Sequence, residues 1–385
     1  MLVMDNRYAP GRRKWNLRIG LTSRCNIRCK YCLPAGVQEN INQTSLGELT
    51  EVLRASFEVG LRRVHYTGGE PTVRRDFIDI LQAAKDIGYT QQVITTNGYR
   101  LHRILDRAVN AGLTRAVVSL DTLDSQQNFF ITRAEFFDDT VRSIKECVRT
   151  LPTLTKISCV TMKSTLGELP RLVAFARELN EHPSSRGQLA IKLNQFFPSN
   201  PAQLTDEGEE FWTDQFVDEE AILKELRRIG PLNPVPRQDV EGDNPSYNYF
   251  RVGDTGVLVA VLAMFSWGYP CGGCWKLRIS PDGTITSCVN QTDPPSLWGM
   301  SYEEKLSTIT RMVEYRESGQ IDKDYPDRRH YRPQLGDLRF ARAGGAPKPM
   351  VHFQTIMPRP DISSVRDRQQ SGFRGDIADR RSHTS

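Results

Sequence analysis

The chain has 385 residues, enough for one large α/β domain with extensions or for two domains. Hydrophobic residues make up 38% and charged residues 25%, an ordinary water-soluble balance, and no apolar run approaches the ~20 residues needed to span a bilayer. The net charge of +5 reads as a solvated surface or as attraction to an anionic small molecule, and nucleic acid fits less well because the densest arginine runs lie in an aperiodic tail.

Residues 1–14, polar and basic with no apolar stretch behind them, read as an N-terminal arm and not as a secretion signal, so a cytoplasmic protein without a membrane partner is expected. From 15 to about 200, strand-like runs alternate with helix-like ones. The strands are predicted at 15–20, 63–67, 92–96, 116–120, 156–162 and 190–197. Between them, stretches such as SLGELTEVLRASFEVG, RRDFIDILQAAKDIG and DDTVRSIKECVRTL repeat apolar residues at three- and four-residue spacing. Gly60, Gly88 and Gly112 fall just past such stretches, where a left-handed C-cap is wanted. Six strands alternating with helices imply a parallel sheet, a partial (βα)6 TIM-like barrel with its working residues at the C-terminal strand ends. Cys25, the Gly68–Pro71 turn, Asn97, Ser119 with Asp121, and Gln195 to Phe197 all fall at such ends. From 201 to 330 the pattern loosens to a helix near 217–229, an apolar run at 256–265 and a cysteine-rich extension with the hairpin-like LRISPDGTITSC. Residues 331–385 hold few apolar anchors and are expected to be disordered.

Cysteines stand at 25, 29, 32, 147, 159, 271, 274 and 288. In a reducing compartment they should not pair as disulfides, and six of them form two tight groups, as ligands of metals or clusters do. Cys147 and Cys159 stand alone and read as core thiols. The first group, CNIRCKYC, offers three thiolates where structural zinc sites usually offer pairs and a fourth ligand. A cubane held by three cysteines keeps one iron open for a chelating ligand. The second group, Cys271-x2-Cys274-x13-Cys288, is compatible with zinc or with another cluster, and no fourth zinc ligand is evident beside it.

The first motif resembles the signature of the radical S-adenosylmethionine (SAM) superfamily. The resemblance implies that Cys25, Cys29 and Cys32 hold a 4Fe–4S cluster whose open iron binds SAM and cleaves it to a 5′-deoxyadenosyl radical, with an external electron donor. It also implies that Tyr31 packs beside the adenine, that the turn Gly68, Gly69, Glu70 and Pro71 meets the methionine amino group, and that Ser119 contacts SAM. Within the superfamily, LRIGLTSRCNIRCKYCLP, YTGGEPTVRRDF, TTNG, SLDTLD and the C-terminal CxxC…LR…PDG…C resemble the GTP 3′,8-cyclase family of molybdenum-cofactor biosynthesis (MoaA-type). That likeness implies a second 4Fe–4S cluster on Cys271, Cys274 and Cys288 and a nucleotide substrate among Arg18, Arg63, Thr96, Lys156 and Arg278.

The departures fall in the same pocket. His65 and Lys192 stand where the family has arginine, Lys276 replaces an arginine in Trp275-Lys276-Leu277-Arg278, Gln195 replaces a glutamate and Phe197 a cofactor-contacting methionine. The family's Gly-Gly tail is replaced by RRSHTS. Lysine is a point charge without the arginine fork, so the substrate is GTP or another nucleotide, nucleoside or peptide. A non-catalytic zinc or cluster scaffold is the third reading, and the intact CxxxCxxC, GGEP and VSLD elements count against it.

Overall fold

The computed structural model describes residues 15–32, 44–196, 211, 214–236, 239–240, 247–262, 275–288, 291 and 294–320. The expected arm at 1–14, the expected disordered tail at 331–385, Phe197, Cys271 and Cys274 lie outside the described residues.

The chain alternates as expected through β1 (Asn16–Gly20), α1 (Leu46–Glu58), β2 (Arg63–Thr67), α2 (Phe77–Ile87), β3 (Gln91–Thr96), α3 (Leu101–Asn110), β4 (Leu113–Ser119), α4 (Ser125–Thr132), α5 (Phe137–Thr150), β5 (Thr155–Thr161), α6 (Leu169–Glu181) and β6 (Leu189–Gln195). Local chemistry fixes the helix ends. The Ser45 hydroxyl accepts from the Glu48 amide to start α1, and Gly88 at φ 114° stops α2. Gly60 and Gly112 also hold positive φ, at 106° and 103°.

The remaining elements are α7 (Glu219–Ile229), β7 (Leu232–Val235), β8 (Asn248–Val252), β9 (Val257–Leu262), β10 (Lys276–Ile279), β11 (Ile285–Thr286) and α8 (Tyr302–Glu317). Among the described residues the strands form one 11-stranded sheet in the order β11-β10-β1-β2-β3-β4-β5-β6-β9-β8-β7. The six strands β1 to β6 are parallel neighbours in chain order, a mixed α/β fold of the partial TIM-like kind. The antiparallel β7–β8–β9 meander was not foreseen beyond the run at 256–265. Pro234 obscures β7 in the sequence, and proline is tolerated there because β7 is the edge strand. The segment after residue 200 thus extends both edges of the first sheet, β9 pairing parallel with β6 and β10 parallel with β1.

Strand alternation then sorts the side chains by face. Leu17, Ile19, Val64, Tyr66, Ile94, Val118, Ile157, Ile191, Leu193, Leu277 and Ile279 join α1–α3, α5 and α6 in the main apolar core. Each contributes roughly 1.5–3 kcal/mol by burial of a large apolar side chain. The intervening positions, Arg18, His65, Lys156, Lys192 and Arg278 among them, face the other way. α8 closes the layer behind β1: it starts with a Ser301–Glu304 capping box, and its buried Lys305 bridges Glu48 and Glu51 of α1 at 3.2 and 2.6 Å. Among the described residues no helix is long and apolar enough to cross a membrane.

Candidate active site

The cysteine loop leaves the C-terminal end of β1 and is stitched to the turns after β2 and β3. Leu21 N–H donates to Thr67 O at 2.8 Å, Gly69 N–H to Thr22 O at 2.7 Å and Glu70 N–H to Arg24 O at 2.8 Å. Gly68 sits at φ +133°, and a Cβ there would lie 2.3 Å from Thr22 O; a Cβ on Gly69 would lie 2.1 Å from Arg24 O. Both clashes are with backbone, so this turn accepts only glycine at either place. The close approach that requires glycine here is to the cysteine loop.

Glu70 is buried and acts as a clamp. One carboxylate oxygen accepts from Thr72 N–H (3.0 Å), the Thr72 hydroxyl (2.7 Å) and the Thr96 hydroxyl (2.7 Å); the other accepts from Asn97 N–H at 2.7 Å. Burial pushes its pKa up and these donors pull it down. Asn97 reaches the loop through its own amide, donating to Asn26 Oδ1 at 2.8 Å. Arg74, which the sequence reading did not single out, is buried beneath the loop, donates to Leu21 O at 2.9 Å and pairs with Asp76 at 2.6 Å. The run of two arginines after the GGEP turn was its only signal.

Tyr31 is held at both ends. Its hydroxyl donates to Asp121 Oδ2 at 2.7 Å, and its ring meets Phe196 edge-on at 6.4 Å between centroids. Asp121 also accepts from Val160 N–H at 2.8 Å; burial pushes its pKa up to about 6, and these two donors hold it down. The Tyr31 phenol is pushed well up by burial and then by Asp121, so it stays the donor. Ser119 lies at the end of β4 in register with Ser158 of β5.

One layer in from this rim lies a group of cations. Arg18 is in register with Arg278 on one side and His65 on the other. Burial and then Arg278 lower the Arg18 pKa. Burial and then Arg18, Lys192, Lys276 and Lys156 push His65 well below the ordinary histidine range, so its ring is neutral; Nε2 lies 2.7 Å from the Thr95 hydroxyl. Burial and then Arg18, Lys276 and Lys156 lower Lys192 to about 7. Its ammonium sits 5.2 Å from the Tyr247 ring centroid, and Tyr247 donates to Asn194 Oδ1 at 2.6 Å. Arg278 Nη1 is buried with no hydrogen-bond partner among the described residues. An orphaned guanidinium nitrogen amid like charges is unfavourable in the free protein and fits a ligand that brings negative charge.

The sequence-predicted substrate residues therefore divide. Arg18, His65, Lys156, Lys192, Lys276 and Arg278 come together. Arg63 shares their face two residues before His65, at the N-terminal end of β2. Thr96 stands apart, its hydroxyl taken by Glu70, while the threonine beside the cations is Thr95. The register also puts Arg115 on this face, opposite Val93 and two residues from Val117, which pairs with Lys156. Neither Thr95 nor Arg115 stood out in the sequence, because a strand residue's face depends on its neighbours' register. Gln195, another departure, donates to Val217 O at 3.1 Å.

The model of the radical SAM superfamily matches residues 19–176. A probable GTP 3′,8-cyclase from Methanopyrus kandleri is 30% identical over 314 residues, 81% of this chain and 92% of that one. The chain belongs to the radical SAM superfamily and, within it, to the GTP 3′,8-cyclase (MoaA-type) family. In fold it is similar to Streptococcus suis SuiB bound to the precursor peptide SuiA, with TM-score 0.53 at 18% identity, covering 77% of this chain and 65% of SuiB. SuiB bound to SAM gives TM-score 0.52 at 17% identity over 76% of this chain and 65% of that one. This chain thus spans slightly less than two thirds of SuiB.

A radical SAM enzyme uses a 4Fe–4S cluster and SAM, and the three cysteines of the loop fit that cluster. The Cys25, Cys29 and Cys32 thiols are electrostatic neighbours; burial above all, then Glu70 and Cys32, pushes Cys25 up to about 11, and burial, then Asp121, Cys32 and Cys25, pushes Cys29 well up. Three thiolates this close need a bound cation to form together. Among the described residues no three cysteine, histidine or carboxylate side chains converge on a single metal ion. A cluster that takes each cysteine on a different iron has no such requirement.

Proposed function

We propose that this radical SAM enzyme acts on an anionic nucleotide, as a GTP 3′,8-cyclase. The reading rests on the layer of cations around the orphaned Arg278 Nη1, which leaves an anion the missing partner. The relationship to the Methanopyrus kandleri protein supports GTP as that anion.

The strand directions support two cluster positions with the cations between them. The first cysteine loop follows the C-terminal end of β1. β10 runs parallel to β1 and begins just after Cys274 in the sequence, and β11 returns antiparallel with Thr286 opposite Arg278. Cys288, buried two residues further on, therefore lies toward the start of β10, at the opposite end of the strands from Cys25. A second cluster on Cys271, Cys274 and Cys288 would sit at that end.

Cys25, Cys29 and Cys32 would hold the cluster, which with SAM would supply a 5′-deoxyadenosyl radical. The chain's own residues set what that radical meets. Gly68 and Gly69 fix the loop, Asp121 fixes Tyr31, and Arg18, Arg278, Lys156, Lys192 and Lys276 bind phosphate oxygens from below. Neutral His65, hydrogen-bonded to Thr95, offers a polar contact without charge.

Anaerobic turnover with GTP and a panel of other nucleotides tests this. GTP is expected to give 5′-deoxyadenosine and a product closed between C3′ and C8. Deoxyadenosine with another nucleotide and none with GTP would move the substrate to that nucleotide, the outcome that His65 and Lys192 in place of arginines favour. Zinc without iron in anaerobically prepared protein would sink both.

A further inference from the structure

The cysteine loop is bound along one side to the last turn of α4: Arg28 N–H donates to Thr132 O at 3.3 Å and Lys30 N–H to Ile131 O at 2.9 Å. α4 turns Phe129 and Phe130 outward, 49% and 53% exposed, the large apolar side chains that stand out in solvent among the described residues. The Lys30 ammonium lies 3.2 Å from the Phe130 ring centroid. Exposed Arg24 and Arg28 precede Lys30 on the loop, and exposed Arg133 follows α4 directly. None of these three arginines makes a side-chain ion pair among the described residues. Cys32 is exposed on the same loop. The acids nearest in sequence are Asp124, whose carboxylate caps α4 through Gln127 N–H at 2.8 Å, and exposed Glu135.

A pair of exposed aromatics with Lys30 over one ring and Arg133 as that lysine's charged neighbour is neither a core nor an ordinary solvated face. It lies against the loop that must receive an electron before SAM is cleaved. We infer that Phe129, Phe130, Arg28, Lys30 and Arg133 form the docking surface for a small acidic protein that donates one electron to the site held by Cys25, Cys29 and Cys32. This rests on those cysteines holding the cluster. The donor loses one electron, and that electron ends in breaking the S–C5′ bond of SAM: sulfur keeps the bonding pair as methionine, and the carbon keeps one electron. Electron-transfer encounters bury under about 1,200 Å² and are steered by opposite charge. A small aromatic patch with a cationic rim suits that pairing.

The test uses the full chain with its cluster reconstituted anaerobically, an acidic flavodoxin as the probe, and dithionite as a reductant that needs no docking surface. The variants are the double substitution Phe129→Ser/Phe130→Ser and, separately, Arg133→Gly. Arg133 holds φ 57°, a conformation glycine adopts readily, so the second variant removes charge without straining the backbone. Each variant is expected to weaken flavodoxin binding and slow flavodoxin-driven 5′-deoxyadenosine formation by roughly tenfold, with a shallower salt dependence for Arg133→Gly. The dithionite-driven rate should stay within about twofold of the parent, since these side chains touch no reacting group. Unchanged flavodoxin affinity in both variants would overturn the proposal. Failure of the parent to form 5′-deoxyadenosine with dithionite would remove the cluster reading on which the proposal stands, and binding measured without turnover keeps the two failures apart.

Discussion

Replacing Gly69 with alanine is expected to empty the cysteine loop of iron and to lower 5′-deoxyadenosine formation by at least about 100-fold. The added methyl would lie 2.1 Å from Arg24 O, 2.5 Å from Arg24 C and 2.8 Å from Ser23 O. All three are backbone atoms, so no side chain can swing away. The loop would have to retreat, lengthening the Gly69 N–H to Thr22 O and Glu70 N–H to Arg24 O bonds that set it. Overpacking of this kind costs about 1–3 kcal/mol, so the fold should survive while the thiols lose their relative positions. Iron content and deoxyadenosine yield check this, with circular dichroism confirming the fold. Gly167→Ala is the control, because a Cβ there meets nothing within 4 Å. Full iron content and a rate within threefold of the parent in Gly69→Ala would refute the packing argument.

Arg278→Met is expected to weaken binding of inorganic triphosphate and to leave the free protein as stable as the parent or more so. Removing one partner of a buried charge pair costs roughly 2–5 kcal/mol of binding, from about 30-fold to several thousand-fold in affinity. Without ligand its Nη1 is a buried donor with no partner among the described residues, beside Arg18, and deleting it relieves a cost of about 1–3 kcal/mol. A structural arginine would behave in the opposite way, so a large drop in melting temperature would refute the role.

Triphosphate binding should also depend on pH through Lys192. Its pKa in the free protein is about 7, against an ordinary 10.5. Between those values the unfolded chain keeps this proton and the folded chain does not, so this group's contribution to stability rises with pH across that window and its penalty is complete below about 7. A bound anion raises the pKa again. Binding above about pH 7 therefore takes up a proton, and affinity should fall by up to about tenfold per pH unit as pH rises. Titration calorimetry in two buffers of different ionisation heat reads the proton directly. Equal heats in both buffers would show that Lys192 does not titrate with the ligand.

Much of this was written locally. The spacing of Cys25, Cys29 and Cys32 and the period-two and period-3.6 patterns up to residue 195 specify a βα alternation, and that alternation alone carries Cys25, Gly68, Asn97 and Ser119 to one rim. Gly88 and the Ser45 cap mark helix ends because their chemistry acts within four residues. The tertiary structure decided what depends on register between distant strands. It set Arg278 beside Arg18, 260 positions earlier in the chain, turned Thr95 toward His65 while Thr96 went to Glu70, and brought Arg115 onto the cationic face. It also showed that the glycines of the GGEP turn answer to the backbone of the cysteine loop. A local pattern states which face a residue shares with its own neighbours; the partner across that face is set by long-range pairing, which no window of sequence contains.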